Sequence, residues 1–582
     1  MRLSSKLVIS LNPAPVLMAA MLGVAAISQL KLQLFETGST IERAKEVKKW
    51  YVDSYDYAKR GAILDRSGKP LAQDATAYEL SVNYAKMPKS NGLAIALSEA
   101  TGIPAYAFLD RETGSRTWED PLTPVQQKRI RAIQKDWNAD GISIAPKMQR
   151  IYPLGLYASS LIGLERKEDG KEVKSGFESS YDKMLTGVDG LQRGLKDKNG
   201  QFLPLRSFEP EQVRVDGKTI TTTIDSQIQY AAAKAIKEAV IANKADSGCV
   251  IVVHPVTGEI FAMASWPAPD PAESGRSPFE GKNPNYKDAL EPGSIFKIFT
   301  VAKAYDAGVI NRNSITNCNL TLNIPKDKPI HCDKAHGAHG AVDPVNAIAK
   351  SCNVAAAQWS MKVGRDNYFD YLTDLGFTQK SSLGMDGSPL SGEVKNNLKK
   401  ARWGALRQLA EWGFGQSLNL TPVTIAGAFA TIANGGNRVP LSLVKAVDGK
   451  KVPQRLPHRV LKKESADFAL ECMQAVMEKG TGSKLGIAGY EFGGKTGTAQ
   501  RMRGSDKKGY VSNFIGIVPA REPEAVILVM VDNPKAGKMY GSEVAGPVFK
   551  QVAQNVIETL GLRPTLAPGQ LQSAKKADAI ID

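Results

Sequence analysis

Cysteine and histidine are scarce in this chain, five of each among 582 residues, and aromatic residues make up only 7%. No Cys-x-x-Cys pair, recognition-helix signal or aromatic-basic stripe occurs, so nucleic acid is not an expected partner. Only one long apolar run is present, which excludes a multipass membrane protein. No internal repeat is found, which excludes a repeat architecture. Acidic residues fall short of basic ones, 59 against 75, leaving a net charge of +16. Such a balance suits anionic lipid, an anionic wall polymer or simply a solvated basic surface, and the last is the plainest reading.

The apolar run fixes the compartment. From Leu7 to Leu30 there is no charged residue, and about 20 such residues are enough to cross a bilayer. Arg2 and Lys6 precede it, which predicts an N-terminus in the cytoplasm and everything after Lys31 outside. The competing reading is a cleaved signal peptide, since Ala25-Ala26-Ile27-Ser28 supplies small residues, and Asn12-Pro13 interrupts the early part of the run. An uncleaved single-pass anchor in the cytoplasmic membrane is the expectation.

The expected layout is a cytoplasmic segment 1–6, an anchor 7–34, a β-rich pedestal 35–210, a second domain 211–562 and a disordered tail 563–582. In the pedestal, Arg60 to Ala72 reads as strand, Asp/Gly turn and strand. In the second domain Asp225 is placed to cap a helix running from Ser226 to Ala242. Cys249–His254 and Glu259–Ser265 form a hairpin about Pro255-Val256-Thr257-Gly258. Gly494–Gln500, Asn513–Val518 and Ala525–Val531 read as three more strands, and Val544 to Leu560 as a terminal helix. Thr421-Pro422 starts a helix and Asn434-Gly435-Gly436 stops it. Strands at both ends of a helical middle predict an α+β domain, a mostly antiparallel sheet with helices on both faces.

Three motifs carry chemistry: Ser294-Ile295-Phe296-Lys297, Ser351-Cys352-Asn353 and Lys495-Thr496-Gly497-Thr498. In this order they are the signature of a serine acyl-transfer site of the penicillin-recognising kind. Ser-x-x-Lys also begins at Ser28, Ser180, Ser442, Ser505 and Ser573, so context must select Ser294. It follows Pro292-Gly293 and opens an apolar stretch, a loop turning into a buried helix. On a helix Lys297 lies one turn from Ser294 and can take its proton if burial makes the amine neutral, the alternative being an ordinary surface lysine. A second cation, Lys495, pushes the same way. Ser351 can relay a proton to the leaving amine and Asn353 can bind a substrate amide. The plain alternative for both is a helix N-cap. Lys495 and the hydroxyls of Thr496 and Thr498 can grip a carboxylate beside a strand edge, Gly497 allows close approach, and the N–H groups of Ser294 and Thr498 are the natural oxyanion donors.

With these motifs the chain resembles the class B penicillin-binding proteins, the peptidoglycan D,D-transpeptidases. The resemblance covers nearly the whole length: the anchor, Arg60-Gly61 with Asp65-Arg66 and Gly68, Arg150 to Pro153, the three motifs, Gly413-Phe414-Gly415-Gln416, and Ala433 to Gly436. The end, from Asn533-Pro534 to Tyr540-Gly541 and then Ala545 to Phe549, looks most like the cell-division branch, with the elongation and sporulation branches open. The resemblance implies a penicillin-binding, β-lactamase-like fold on a dimerisation-type pedestal. It implies acyl transfer through Ser294 with release of D-Ala, crosslinking of stem peptides on the lipid-linked precursor's product, and acylation by β-lactams. It requires no cofactor for catalysis. Its partners would be a multipass glycan polymerase and division proteins. A D,D-carboxypeptidase stays open. A β-lactamase is the next rival, with Glu393 to Asn397 as its candidate deacylation loop, and a catalytically silent sensor or scaffold comes after it.

The cysteines pose a separate question. Cys318, Cys332, His339 and Cys352 cluster around the second motif, and three thiolates with an imidazole would make a closed structural zinc site. His331, Asp333 and His336 are alternative ligands. A Cys318–Cys332 disulfide and free thiols are the other readings. Cys249 and Cys472 read as core residues of a strand and a helix.

Overall fold

A computed structural model describes residues 13–34, 51–109, 113–118, 121–168, 171–196, 202–203, 212–273, 279, 282–333, 337–379, 383–385, 405–500 and 509–567. Arg2, Lys6, His336, Glu393 to Asn397, Ser505, Ser573 and the end of the tail lie outside the described residues. Packing groups the chain into two units, Met1–Lys59 with Gly187–Gly217, and Arg60–Thr186 with Lys218–Asp582.

The smaller unit contains the helix Pro13–Leu34 and an antiparallel sheet of Tyr51–Asp56, Gly190–Lys196 and Phe202–Leu203. Its helix falls in the run expected to be the anchor. Leu17, Met18, Met21, Leu22, Val24 and Ile27 are all exposed on it. Among the described residues no helix is long and apolar enough to cross a membrane.

In the larger unit the strand–turn–strand forms as expected. Asp65 builds the turn: its carboxylate accepts from the Ser67 and Lys69 N–H groups, each at 2.8 Å. Gly68 takes a left-handed φ of 92° there. The chain then enters the long strand Pro70–Asn83, which pairs with Ile142–Ile151 and Ser115–Trp118. Helices Asn91–Thr101 and Pro124–Asp136 belong to the same lobe, whose core gathers Leu80, Val82, Leu93, Leu97 and Ile130. The expected β-rich pedestal is therefore a mixed one. Its sheet also runs on through Ile63–Leu64 to Ile220–Thr222 and Val444–Val447, which lie beyond the expected 210/211 boundary.

The helical middle closes on a five-stranded antiparallel sheet. The strand order is Ile260–Trp266, Ser247–Val253, Ala525–Asp532, Tyr510–Val518, Gly493–Gln500. All five expected strands are present. Strand alternation sorts their side chains onto two faces. Val250, Val252, Phe514, Ile527 and Val529 share one core cluster with residues of the helices Ser226–Ala242 and Gly541–Leu560. Ile251, Val253, Ile515, Ile517 and Leu528 share the other with residues of Lys297–Asp306, Pro422–Ala433 and Lys463–Lys479. Burying one such side chain completely is worth about 1.5–3 kcal/mol, so both helix layers are strongly held. Asp225 caps its helix as expected, accepting from the N–H groups of Gln227 and Ile228. Cys249 and Cys472 are buried in their strand and helix.

Candidate active site

Ser294, the expected nucleophile, stands where a turn meets a helix. Gly293–Phe296 is a 3-10 turn, and the α-helix begins only at Lys297. This departs from the expected uninterrupted helix, and it improves the alignment. With three residues per turn, positions i and i+3 eclipse. Lys297 Nζ lies 2.9 Å from Ser294 Oγ, 3.0 Å from Ser351 Oγ and 2.6 Å from the Ser351 carbonyl. Of the rival serines, Ser442 donates to the Val444 carbonyl while Lys445 donates to that of Arg66, so that motif pairs nothing.

Ser351 reaches the lysine by an unusual backbone route. Its φ is 55°, left-handed for a residue with a Cβ, a conformation that costs about 1–2 kcal/mol. Neither Ser351 nor Asn353 caps the following helix. Cys352 holds that position, its Sγ accepting from the Ala355 N–H, and Asn353 is the first helical residue. The capping alternative for the two polar residues is therefore incorrect. Asn353 instead donates from its amide to the His331 carbonyl at 3.0 Å.

The third motif lies on the edge strand Gly493–Gln500, within reach of the first two. Lys495 Nζ donates to Ser351 Oγ at 3.1 Å and to the Thr496 carbonyl at 2.9 Å. The Thr496 hydroxyl lies 2.6 Å from that of Thr481, and Thr498 Oγ1 accepts from the Gly541 N–H. Gly497 has no room for a side chain: a Cβ there would stand 1.9 Å from Asn513 Oδ1. Thr481, Asn513 and Gly541 have no short-motif signal. Asn513 could have been found as the one polar residue in the row Val511, Ile515, Ile517.

Electrostatics follows from burial. Lys297 and Lys495 are both fully buried, and among the described residues neither pairs with a carboxylate. Loss of water, opposed by the Cys352 and Cys332 sulfurs, lowers Lys297 to about 8. Burial, then the charge of Lys297, pushes Lys495 well below its usual range. Glu291, three residues before the nucleophile, is raised by burial to about 7.

Next to this centre Cys318, Cys332, His339 and Cys352 converge, their ligand atoms all within 4.8 Å of one another. Cys318 and Cys332 sulfurs are 3.6 Å apart, Cys332 and Cys352 3.7 Å, and His339 Nδ1 lies 3.4 Å from Cys318 Sγ. All five cysteines are free thiols. A disulfide needs about 2.05 Å between sulfurs, whereas ligands about 2.3 Å from a tetrahedral ion sit roughly 3.7 Å apart. A hydrogen bond from the Cys352 thiol lowers the Cys332 thiol below its ordinary value. The donor set fits zinc.

Comparison with known proteins agrees with this geometry. Residues 248–554 match the penicillin binding protein transpeptidase domain, and residues 55–222 match the penicillin-binding protein dimerisation domain. A probable peptidoglycan D,D-transpeptidase, PenA of Neisseria gonorrhoeae, is 31% identical over 525 residues, 87% of this chain and 86% of that protein. The peptidoglycan D,D-transpeptidase FtsI of Escherichia coli is 29% identical over 521 residues, 87% and 84% of the two chains. Among solved structures, penicillin binding protein 3 of Mycobacterium tuberculosis in complex with ampicillin shares the fold. Its TM-score is 0.66 at 24% identity, covering 89% of this chain and 98% of that one.

Proposed function

Because this chain belongs to the penicillin-binding protein transpeptidase family, we propose that it is a class B peptidoglycan D,D-transpeptidase of the septal branch, working through an acyl-enzyme on Ser294. The observation that carries the proposal is a fully buried amine, Lys297, within 3.0 Å of Ser294 Oγ and Ser351 Oγ and with no acidic partner among the described residues.

The steps follow from that placement. Neutral Lys297 takes the Ser294 proton as Oγ attacks the carbonyl of the penultimate D-alanine in a stem pentapeptide. The N–H groups of Ser294 and Thr498 receive the oxyanion, and each such donor is worth about 3–4 kcal/mol of barrier. Collapse breaks the peptide bond, and the proton passes through Ser351 Oγ to the departing D-alanine amine. An amine from a neighbouring stem then attacks the ester, forms the crosslink and frees Ser294. Asn353 holds the substrate amide. Lys495, Thr496 and Thr498 hold the terminal carboxylate, whose charge would favour the ammonium form of Lys495. Gly497 keeps the strand close to the peptide.

The apolar run Leu7–Leu30, whose described part lies in the Pro13–Leu34 helix, is assigned as a single-pass anchor in the cytoplasmic membrane, N-terminus inside, with the helix's exposed apolar side chains against lipid. Glycan polymerisation then falls to a multipass membrane partner, alongside other division proteins. The small unit offers such a partner an apolar surface: Tyr55 and Tyr57 are exposed and stacked, and Val213 and Val215 are exposed as well. The Cys318–Cys332–His339–Cys352 cluster is assigned a structural zinc ion, which would pin the loop carrying Ser351 and Asn353 without taking part in the reaction. Metal analysis of the purified protein should find about one zinc per chain, and none in a Cys318→Ser/Cys332→Ser variant.

The deciding experiment is mass spectrometry of the full-length protein after brief exposure to penicillin. A long-lived adduct on Ser294, absent from Ser294→Ala, is expected. Rapid turnover of the drug would make the chain a β-lactamase. Release of D-alanine with water alone as acceptor, and no crosslinked product, would make it a carboxypeptidase. No adduct at all would leave only a silent scaffold.

A further inference from the structure

The loop before the nucleophile is tied from two sides. On one side it meets the segment after Trp412: Gly293 donates its N–H to the Gly415 carbonyl at 3.0 Å, Leu290 pairs with Leu420, and Ser417 donates its N–H to Glu291 Oε1 at 2.9 Å. These ties place the loop among the helices. On the other side Gly293 abuts the strand that offers the Thr498 N–H, where a Cβ would stand 3.1 Å from that of Ala499. Among the described residues, one hydrogen bond links 290–293 to the sheet: Asn513 Nδ2 donates to the Pro292 carbonyl at 3.0 Å.

Asn513 is an odd residue for its position. It lies opposite Gly497 in the strand register, in a row whose other members, Val511, Ile515 and Ile517, are buried in apolar core. It is itself fully buried, and among the described residues its Oδ1 has no hydrogen-bond partner. A half-satisfied amide is a cost to stability, and a hydrophobic residue of the same shape would avoid it. The glycine opposite gives a reason for its presence. Gly497 does not adopt a left-handed conformation, so its backbone does not demand glycine. The Asn513 amide does, because it fills the place where a Cβ would stand, with Ile295 Cγ2 the next neighbour at 3.1 Å. Gly541 closes the same region from above, where a Cβ would meet the carbonyls of Asn513 and Gly497 at 2.2 and 2.5 Å.

We propose that Asn513 is a positioning residue for acyl transfer: through Pro292 it sets the span between Ser294 and the Thr498 N–H, and so the width of the oxyanion site. It touches no reacting atom. The inference rests on the acyl-transfer reading, and it explains why an amide and a glycine face each other beneath the third motif.

The test separates noncovalent affinity from acylation rate by stopped-flow reaction of the full-length protein with a chromogenic cephalosporin. Asn513→Leu keeps the heavy-atom count and the burial, at somewhat greater volume, but has no donor. Asn513→Asp keeps shape but sets an oxygen against the Pro292 carbonyl. Both should acylate about 10- to 100-fold more slowly, the scale set by a displacement of about 1 Å at a reacting centre. The noncovalent dissociation constant should stay within about threefold. The leucine variant should melt no lower than wild type, an outcome that a purely structural role would not combine with slow acylation. Gly497→Ala should cripple the protein, and adding Asn513→Ala should restore part of the lost acylation by vacating the overlap. The proposal is overturned if either folded single variant acylates within twofold of wild type, if neither folds, or if the double variant does no better than Gly497→Ala. A wild-type protein inert to the cephalosporin would instead sink the acyl-transfer reading, so the two failures are distinguishable.

Discussion

In the Arg60–Thr186 segment two arginines with 8% and 5% side-chain exposure close on one glutamate, Glu178, which has none. Arg60 also meets Asp182 and Glu165, and Arg150 meets Asp74 and the Gly61 carbonyl. Around Ser294 two lysines, Lys297 and Lys495, are buried just as deeply and face serines and carbonyls instead. Both regions take cations out of water, and the residue type decides the consequence. A guanidinium does not deprotonate in a protein, so its burial is tolerable only with acids around it. A buried ammonium can shed its proton, and where no acid holds it in place it becomes a base. The first arrangement specifies shape, and the second makes reactivity.

Exchanging the residue types across this divide gives the largest effect. Lys297→Arg keeps positive charge and similar length but removes the proton acceptor. We expect acylation by a fluorescent penicillin to fall by about 10³-fold or more, within the span attributed to a positioned general base. Noncovalent binding by the folded fraction should change little by comparison, while the melting temperature should fall, because no acid stands beside the buried guanidinium among the described residues. A Lys297→Arg protein acylating within tenfold of wild type would show that Lys297 is not the base.

The reverse disruption acts on stability alone. Glu178→Gln leaves Arg60 and Arg150 buried with one acid fewer between them. Breaking a buried pair costs about 3–5 kcal/mol, and the lower end is expected here because Asp74, Glu165 and Asp182 remain. Denaturant melts should register that loss while the folded fraction still acylates at the wild-type rate. Equal loss of acylation would mean that the network serves the site directly.

A smaller effect appears in pH dependence. Lys297, lowered to about 8, is mostly protonated at pH 7 and mostly neutral at pH 9. Acylation should therefore rise roughly tenfold between them and level off above. For stability the sign is fixed by the lowered values of both lysines. The unfolded chain binds more protons than the folded one between about 8 and the ordinary lysine value, so stability rises with pH across that window. Asp182, pulled up by burial but depressed overall by its bonds to Lys174 and Arg60, has the same sign in a lower window. Its contribution is present above the unfolded carboxylate value and fades as pH falls through its folded one. A rate profile flat from pH 6 to 9 would contradict a neutral Lys297 as the working form.

These contrasts also show what the sequence could reveal. Ser294 and Lys297 were legible because their partnership is local, three residues apart on one turn. The sheet was legible because its strands alternate or are continuously apolar, and their ends carry turn residues. The ion cluster was not, although Arg60, Arg150 and Glu178 each stand out in the sequence. Their bonds join residues 118 and 28 positions apart, and nothing in the local pattern announces such a meeting. The left-handed Ser351 was equally hidden, since nothing in its residue type signals the tight turn between the helices Pro344–Ala349 and Asn353–Val363 where it sits. Asn513 left a trace, a polar residue out of phase with its strand, but its partner Pro292 lies 221 residues away.

The weakest expected effect sets the scale for the rest. Lys463 and Asp467 form an ion pair of 2.7 Å one turn apart on the helix Lys463–Lys479, with side chains 73% and 51% exposed. Geometrically the pair resembles the contacts of Arg150. Energetically it should not, because water already solvates both groups, salt screens their attraction, and holding two long side chains in register costs entropy. Lys463→Ala is expected to shift stability by about 0.5 kcal/mol or less and to leave acylation unchanged. A loss approaching that of Glu178→Gln would mean that charge pairing itself, and not the burial of charge, separates the two regions, and the inference that burial makes Lys297 a base would lose its footing.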